Sequence, residues 1–108
     1  MSGHRHTYED GWPFADDVET MTITTVHVLD GSQPIMLVTH DADDGAWQIL
    51  CGTTNSAEDG RVACLGCLVT VNPFLADLAD LPLGWRAWRE EVGGAWERAP
   101  VAALPETL

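Results

Sequence analysis

The segment Gly31–Gly52, GSQPIMLVTHDADDGAWQILCG, constrains the fold most, because it reads as two strands joined by one acidic turn. Ile35 to Thr39 is nearly continuous in apolar character, which predicts a central strand buried on both faces. Pro34 stands at its first position, where a missing N–H is tolerated. Asp41-Ala42-Asp43-Asp44-Gly45 then carries turn chemistry, and Trp47, Ile49 and Cys51 alternate with Gln48 and Leu50. Alternate residues of a strand share a face, so Trp47, Ile49 and Cys51 should point the same way.

Elsewhere the periods are mixed. Met21, Ile23 and Thr25 alternate with Thr22 and Thr24, which predicts a β-branched strand that runs on through Val26–Leu29 to the turn pair Asp30-Gly31. Arg61–Val71 is the next strand candidate, with Gly66 marking a bulge. Asn72 is a preferred helix N-cap, and Pro73 suits the first helical position. Phe74, Leu75, Leu78 and Leu81 follow at helical spacing, which predicts a helix over about 73–81 that Pro82 ends. Trp85–Arg89 fits either period, since Trp85, Ala87 and Arg89 alternate while Trp85 and Trp88 share a helical face. Strands first and one clear helix later predict an α+β domain, with a largely antiparallel sheet of about five strands and one main helix. Residues 1–17 read as a flexible arm anchored by Trp12-Pro13-Phe14, residues 18–98 as the single domain, and 99–108 as a tail.

With 108 residues there is material for one core only. No apolar run approaches the roughly 20 residues that span a bilayer, and the N-terminus has no apolar signal region. A cytoplasmic location is therefore expected. Seventeen acids face five arginines and no lysine, for a formal net charge of −12. A field of that sign repels phosphate backbones and anionic lipid heads, which argues against nucleic-acid and membrane binding and favours a basic protein partner, a polyamine or a metal ion; the competing reading is that the charge serves solubility alone. The sequence does not separate a monomer from a homodimer.

Chemistry-bearing groups are few. Cys51, Cys64 and Cys67 form C-x12-C-x2-C, and Cys64-Leu65-Gly66-Cys67 can form a knuckle that aims two thiolates at one zinc ion. His40 would be the fourth ligand. A strand points i and i+3 to opposite faces, so such a site needs a real turn at Leu65-Gly66. The competing readings are small buried hydrophobes, or a redox pair, although a thioredoxin-like CxxC would sit near a βαβ pattern that the sequence does not show. An odd count in a cytoplasmic protein argues against a stable disulfide set. Asp41, Asp43 and Asp44 fail the calcium-loop spacing, because the twelfth position from Asp41 is Gly52, and the competing reading for them is a solvated hairpin tip. His4 and His6 sit in the arm, and His27 falls in an apolar stretch. Trp85, Trp88 and Trp96 interleave with Arg86, Arg89 and Arg98, residue types enriched where proteins touch. A structural reading has the tryptophans pack on the sheet while the arginines neutralise nearby acids. No nucleophile elbow, phosphate loop or metalloprotease motif is present.

The order of Gly31 turn, apolar strand, Asp43-Asp44-Gly45, Trp47–Leu50 strand and Gly52 resembles a bacterial family of unknown function. Its members are grouped, by prediction, with immunity proteins of polymorphic toxin systems. The resemblance extends through Asn72-Pro73 to Leu83-Gly84 and covers about two thirds of the chain. It favours a strand for Trp85–Arg89 and brings no catalytic motif. It implies a small acidic binding protein that occludes a partner without catalysis, with Asp41, Asp43, Asp44, Trp85 and Trp88 as contact residues. The alternative is a zinc-stabilised domain using Cys51, Cys64, Cys67 and His40; otherwise no cofactor is expected. A weaker alternative is an enzyme whose site cannot be read.

Overall fold

A run of β-branched residues, Thr22 to Thr25, favours extended backbone, and the computed structural model places it in the first strand of a six-stranded sheet. Residues 12–51 and 57–101 are described. In chain order they form β1 (Met21–Thr25), α1 (Val26–Leu29), β2 (Leu37–His40), β3 (Trp47–Leu50), a short 3-10 turn (Ala57–Asp59), β4 (Gly60–Cys64), α2 (Leu65–Val71), a 3-10 helix (Pro73–Leu78), β5 (Trp85–Trp88) and β6 (Glu97–Pro100). The spatial order is β4-β1-β3-β2-β5-β6. Only β1 and β3 run parallel; every other pairing is antiparallel. The class is α+β, with six strands rather than about five.

One face of the sheet carries the core. Thr22 and Thr24 from β1, Val38 from β2, Trp47 and Ile49 from β3 and Ala87 from β5 are all buried. Leu65, Leu68 and Val69 of α2 join them in one cluster with Leu75 and Leu78 of the 3-10 helix, Leu81, Ile35 and Phe14. The two threonine hydroxyls would be costly there if unpaired. Thr22 Oγ1 donates to Ala63 O (2.9 Å) and Thr24 Oγ1 to Ile49 O (2.6 Å), so each ties β1 to a neighbouring strand. Trp47, Ile49 and Cys51 share the core face, as their alternation requires.

Several local expectations differ. Val26–Leu29 turns into a short helix because Thr25 Oγ1 accepts the Val28 N–H (3.3 Å), a cap that ends the strand. Arg61–Val71 divides at Cys64: β4 stops and α2 begins, so Gly66 lies in a helical turn instead of a bulge. Asn72 stands at the N-cap of the next helix as expected, with Pro73 in its first turn, but its side chain makes no cap bond there: its backbone N–H (2.8 Å) and its Nδ2 (3.0 Å) both donate to Leu68 O and close α2. The expected 73–81 helix is a 3-10 helix over Pro73–Leu78, which makes α2 the longest α-helix among the described residues. Residues 99 and 100, assigned to a tail, belong to edge strand β6, where Pro100 is tolerated because one side needs no donor. Trp12 and Phe14 pack onto the core: Phe14 is buried, 5.2 Å from Trp12 and 5.2 Å edge-on to Trp47. His4 and His6 lie outside the described residues.

The other sheet face is open. Register places Met21, Ile23, Val62, Leu50, Leu37 and Trp88 on it. Met21 is 60% exposed and Val62 66%, while Leu37, Leu50 and Trp88 are half-buried. The apolar run of β2 therefore reflects an apolar outer face, not burial on both sides. No helix among the described residues is long and apolar enough to cross a membrane.

Candidate functional site

The acidic turn between β2 and β3 is built by short local bonds. Asp41 N–H donates to Ala46 O (2.8 Å), Gly45 N–H to Asp41 O (2.9 Å) and Ala46 N–H to Asp44 Oδ1 (3.0 Å). Gly45 takes φ +74°, a conformation that glycine adopts without strain. Gln48 Nε2 donates to Asp41 Oδ2 (2.8 Å), which fixes one carboxylate against β3. A second glycine joins this turn to the far edge of the sheet. Gly84 N–H donates to His40 O (2.6 Å), and Gly84 O accepts from Val101 N–H (2.8 Å). Its φ is +82°, and a Cβ there would sit 3.5 Å from the Ala42 Cβ.

These contacts leave an open depression of about 410 Å³, lined by Asp41, Ala42, Asp43, Asp44, Gly84 and Val101. Asp43 and Asp44 are exposed and Asp41 is half-buried. Every polar side chain in that lining is a carboxylate. Ionised carboxylates only accept hydrogen bonds, and they match guanidinium and ammonium donors. The depression is thus suited to hold a cationic group.

The expected contact residues divide. Trp85 follows Gly84 directly and pairs in register with His40, so it belongs to the acidic end of the sheet. It also packs against the core. Trp88 pairs with Leu37 and Glu97 at the other end of β5, on the open face. Four of the five residues are therefore near one another and Trp88 is apart. Two of the arginines hold parts of the fold together. Arg98 reaches Asp80 Oδ1 (2.6 Å) and Asp77 O (2.7 Å). The hydrogen bond from Arg98, with its charge, holds the Asp80 carboxyl below the usual range. Arg89 is buried and donates from Nε to Ile35 O (2.9 Å). Its guanidinium carbon lies 4.6 Å from the Phe74 ring centroid and 4.9 Å from that of Trp96. Burial pushes its pKa down.

The cysteine region departs most from expectation. Cys64 and Cys67 are joined by a disulfide, with their Cα atoms 5.2 Å apart. The start of α2 supplies the turn that a strand could not, and brings i and i+3 to the same side. Cys64 Sγ also accepts the Cys67 N–H (3.1 Å), acting as the helix cap. Cys51 is buried in the core. His40 Nδ1 is 2.8 Å from Leu81 O, so Nδ1 carries the proton, and the ring stacks on Trp47 at 3.9 Å between centroids. The structure brings Cys64 and Cys67 together and places Cys51 in the core and His40 against Trp47; among the described residues no group of three His, Cys, Asp or Glu is found that could hold a metal ion.

Sequence reading missed both the buried role of Arg89 and the open apolar face. Alternation in Trp85-Arg86-Ala87-Trp88 placed two residues on each face without saying which face is covered. No family model matches the chain, and no curated protein or solved structure does.

Proposed function

We propose that this is a small cytoplasmic binding protein of immunity-protein type, which acts by covering a basic protein partner without catalysis. The observation that supports it is the open acidic depression, where Asp41, Asp43 and Asp44 meet the Gly84-Trp85 end of β5 around about 410 Å³ of space. Arginine or lysine side chains of the partner enter that depression. The net charge of −12 speeds the encounter, because complementary fields act on association at distances beyond contact. The open face of the sheet, with exposed Met21, Ile23 and Val62 on β1 and β4 and half-buried Trp88 on β5, adds apolar surface away from the depression.

The test is capture from a lysate of the source cells, with tagged wild type and an Asp41→Asn/Asp43→Asn/Asp44→Asn variant compared by quantitative mass spectrometry. The proposal expects a basic protein retained by wild type and depleted at least ten-fold with the variant. Equal retention by both proteins would remove the acidic turn from the mechanism.

A further inference from the structure

We propose that the Cys64–Cys67 disulfide is a thiol–disulfide exchange site, which accepts two electrons from a dithiol through the Cys67 sulfur. This is independent of the binding proposal and rests on a different part of the molecule.

The two sulfurs are unequal. Cys64 closes β4 and is 4% exposed, whereas Cys67 is only half-buried. Exchange requires a thiolate to reach one sulfur in line with the bond that breaks, so access selects Cys67 as the sulfur attacked. Cys64 then leaves as a thiolate. It already accepts the Cys67 N–H at 3.1 Å, and that hydrogen bond strengthens when the acceptor becomes an anion. A leaving sulfur that already holds a hydrogen bond departs faster than one without it.

The backbone around the bond has other supports. Leu65 N–H donates to Thr20 O (2.8 Å) and Gly66 N–H to Val18 O (2.8 Å), so both amides keep their partners in either redox state. A bridge between residues three apart closes a very short loop, which removes little entropy from the unfolded chain. The bond is therefore a weak staple on a segment that other contacts hold, as suits one made and broken in use.

The reaction balances as a two-electron exchange. One thiolate of the substrate dithiol attacks Cys67 Sγ; the Cys64–Cys67 bond breaks, and Cys64 takes the electron pair and then a proton from solvent. The second substrate thiolate attacks its own partner sulfur in the mixed disulfide. Cys67 leaves, the substrate is released as a disulfide, and the protein holds two thiols. The net charge of −12 disfavours anionic thiols, so the substrate class is a neutral or cationic dithiol. Cys51, 1% exposed, takes no part.

The experiment treats the oxidised full-length wild type with cysteamine in native buffer. It quenches with acid at short times and maps the mixed disulfide by peptide mass spectrometry. The proposal expects the adduct on Cys67 in at least ten-fold excess over Cys64, and full reduction by dithiothreitol with the circular dichroism spectrum retained. An adduct mainly on Cys64, equal labelling, or a bond that resists both reagents until denaturant is added would overturn it. A Cys64→Ser variant that retains the wild-type spectrum should form the cysteamine adduct from cystamine at least ten-fold faster than Cys67→Ser. If either variant fails to fold, the wild-type map alone decides.

Discussion

Replacing Arg89 with alanine should destabilise the fold far more than replacing any exposed arginine. Its side chain is 8% exposed, donates from Nε to Ile35 O at 2.9 Å, and holds its guanidinium 4.6 and 4.9 Å from the Phe74 and Trp96 centroids. A hydrogen bond from a charged donor contributes about 1.5–3 kcal/mol. Each ring contact adds about 0.5–2 kcal/mol where water is largely excluded. Against these stands the desolvation of a buried cation, the same effect that lowers its pKa. Taking the middle of each range and subtracting part of that penalty leaves a loss of about 3 kcal/mol for Arg89→Ala. That is a large share of the roughly 5–15 kcal/mol a domain has in total. Arg89→Lys keeps the charge over the rings but not the planar fork, and should lose about half as much. Urea unfolding followed by circular dichroism measures both, with an unchanged m-value as the check on two-state behaviour. A loss under about 1 kcal/mol for Arg89→Ala would refute the reasoning, because the contacts would then be worth less than a surface pair.

Two further outcomes follow from named contacts. Trp47 is 1% exposed and its Nε1–H donates to Asp16 Oδ1 at 3.0 Å, so Asp16→Ala strands a buried donor. Thermal unfolding should show a loss of about 1–3 kcal/mol, and Asp16→Asn, which keeps an acceptor oxygen, should lose less. Asp80 has a folded pKa held below 3.8 by Arg98, so its contribution is present above that value and disappears as pH falls through the folded pKa. Wild type should therefore exceed Asp80→Asn in melting temperature at pH 7, with the gap closing on acidification; a gap independent of pH would exclude this linkage.

The β2–β3 hairpin was legible because its signals agree: an apolar run, an Asp-Asp-Gly turn and clean alternation from Trp47 to Cys51. So were β1 and the acidic end of the sheet. α2 was not, since Leu65-Gly66-Cys67-Leu68-Val69 is apolar throughout and carries neither period. Its cap is a cysteine sulfur, a residue that sequence rules do not read as a cap. The helix after Asn72 kept its place, with Asn72 at its N-cap and Pro73 in its first turn, but it is 3-10 in type and ends at Leu78. β6 was hidden for another reason: Glu97-Arg98-Ala99-Pro100 has no strand propensity, and its pairing with β5 alone makes it a strand. For the site, aspartates at a turn were visible, but the depression depends on Gly84 and Val101, more than 35 residues beyond the turn in sequence and brought back by the fold.

The most direct test of the binding account is the salt dependence of affinity for the captured basic partner, measured by calorimetry for wild type and the Asp41→Asn/Asp43→Asn/Asp44→Asn variant. The account predicts weaker binding by the variant at low salt and a clearly shallower slope against ionic strength, with the two affinities converging as salt rises. Identical slopes for the two proteins would contradict it and place the contact elsewhere on the molecule.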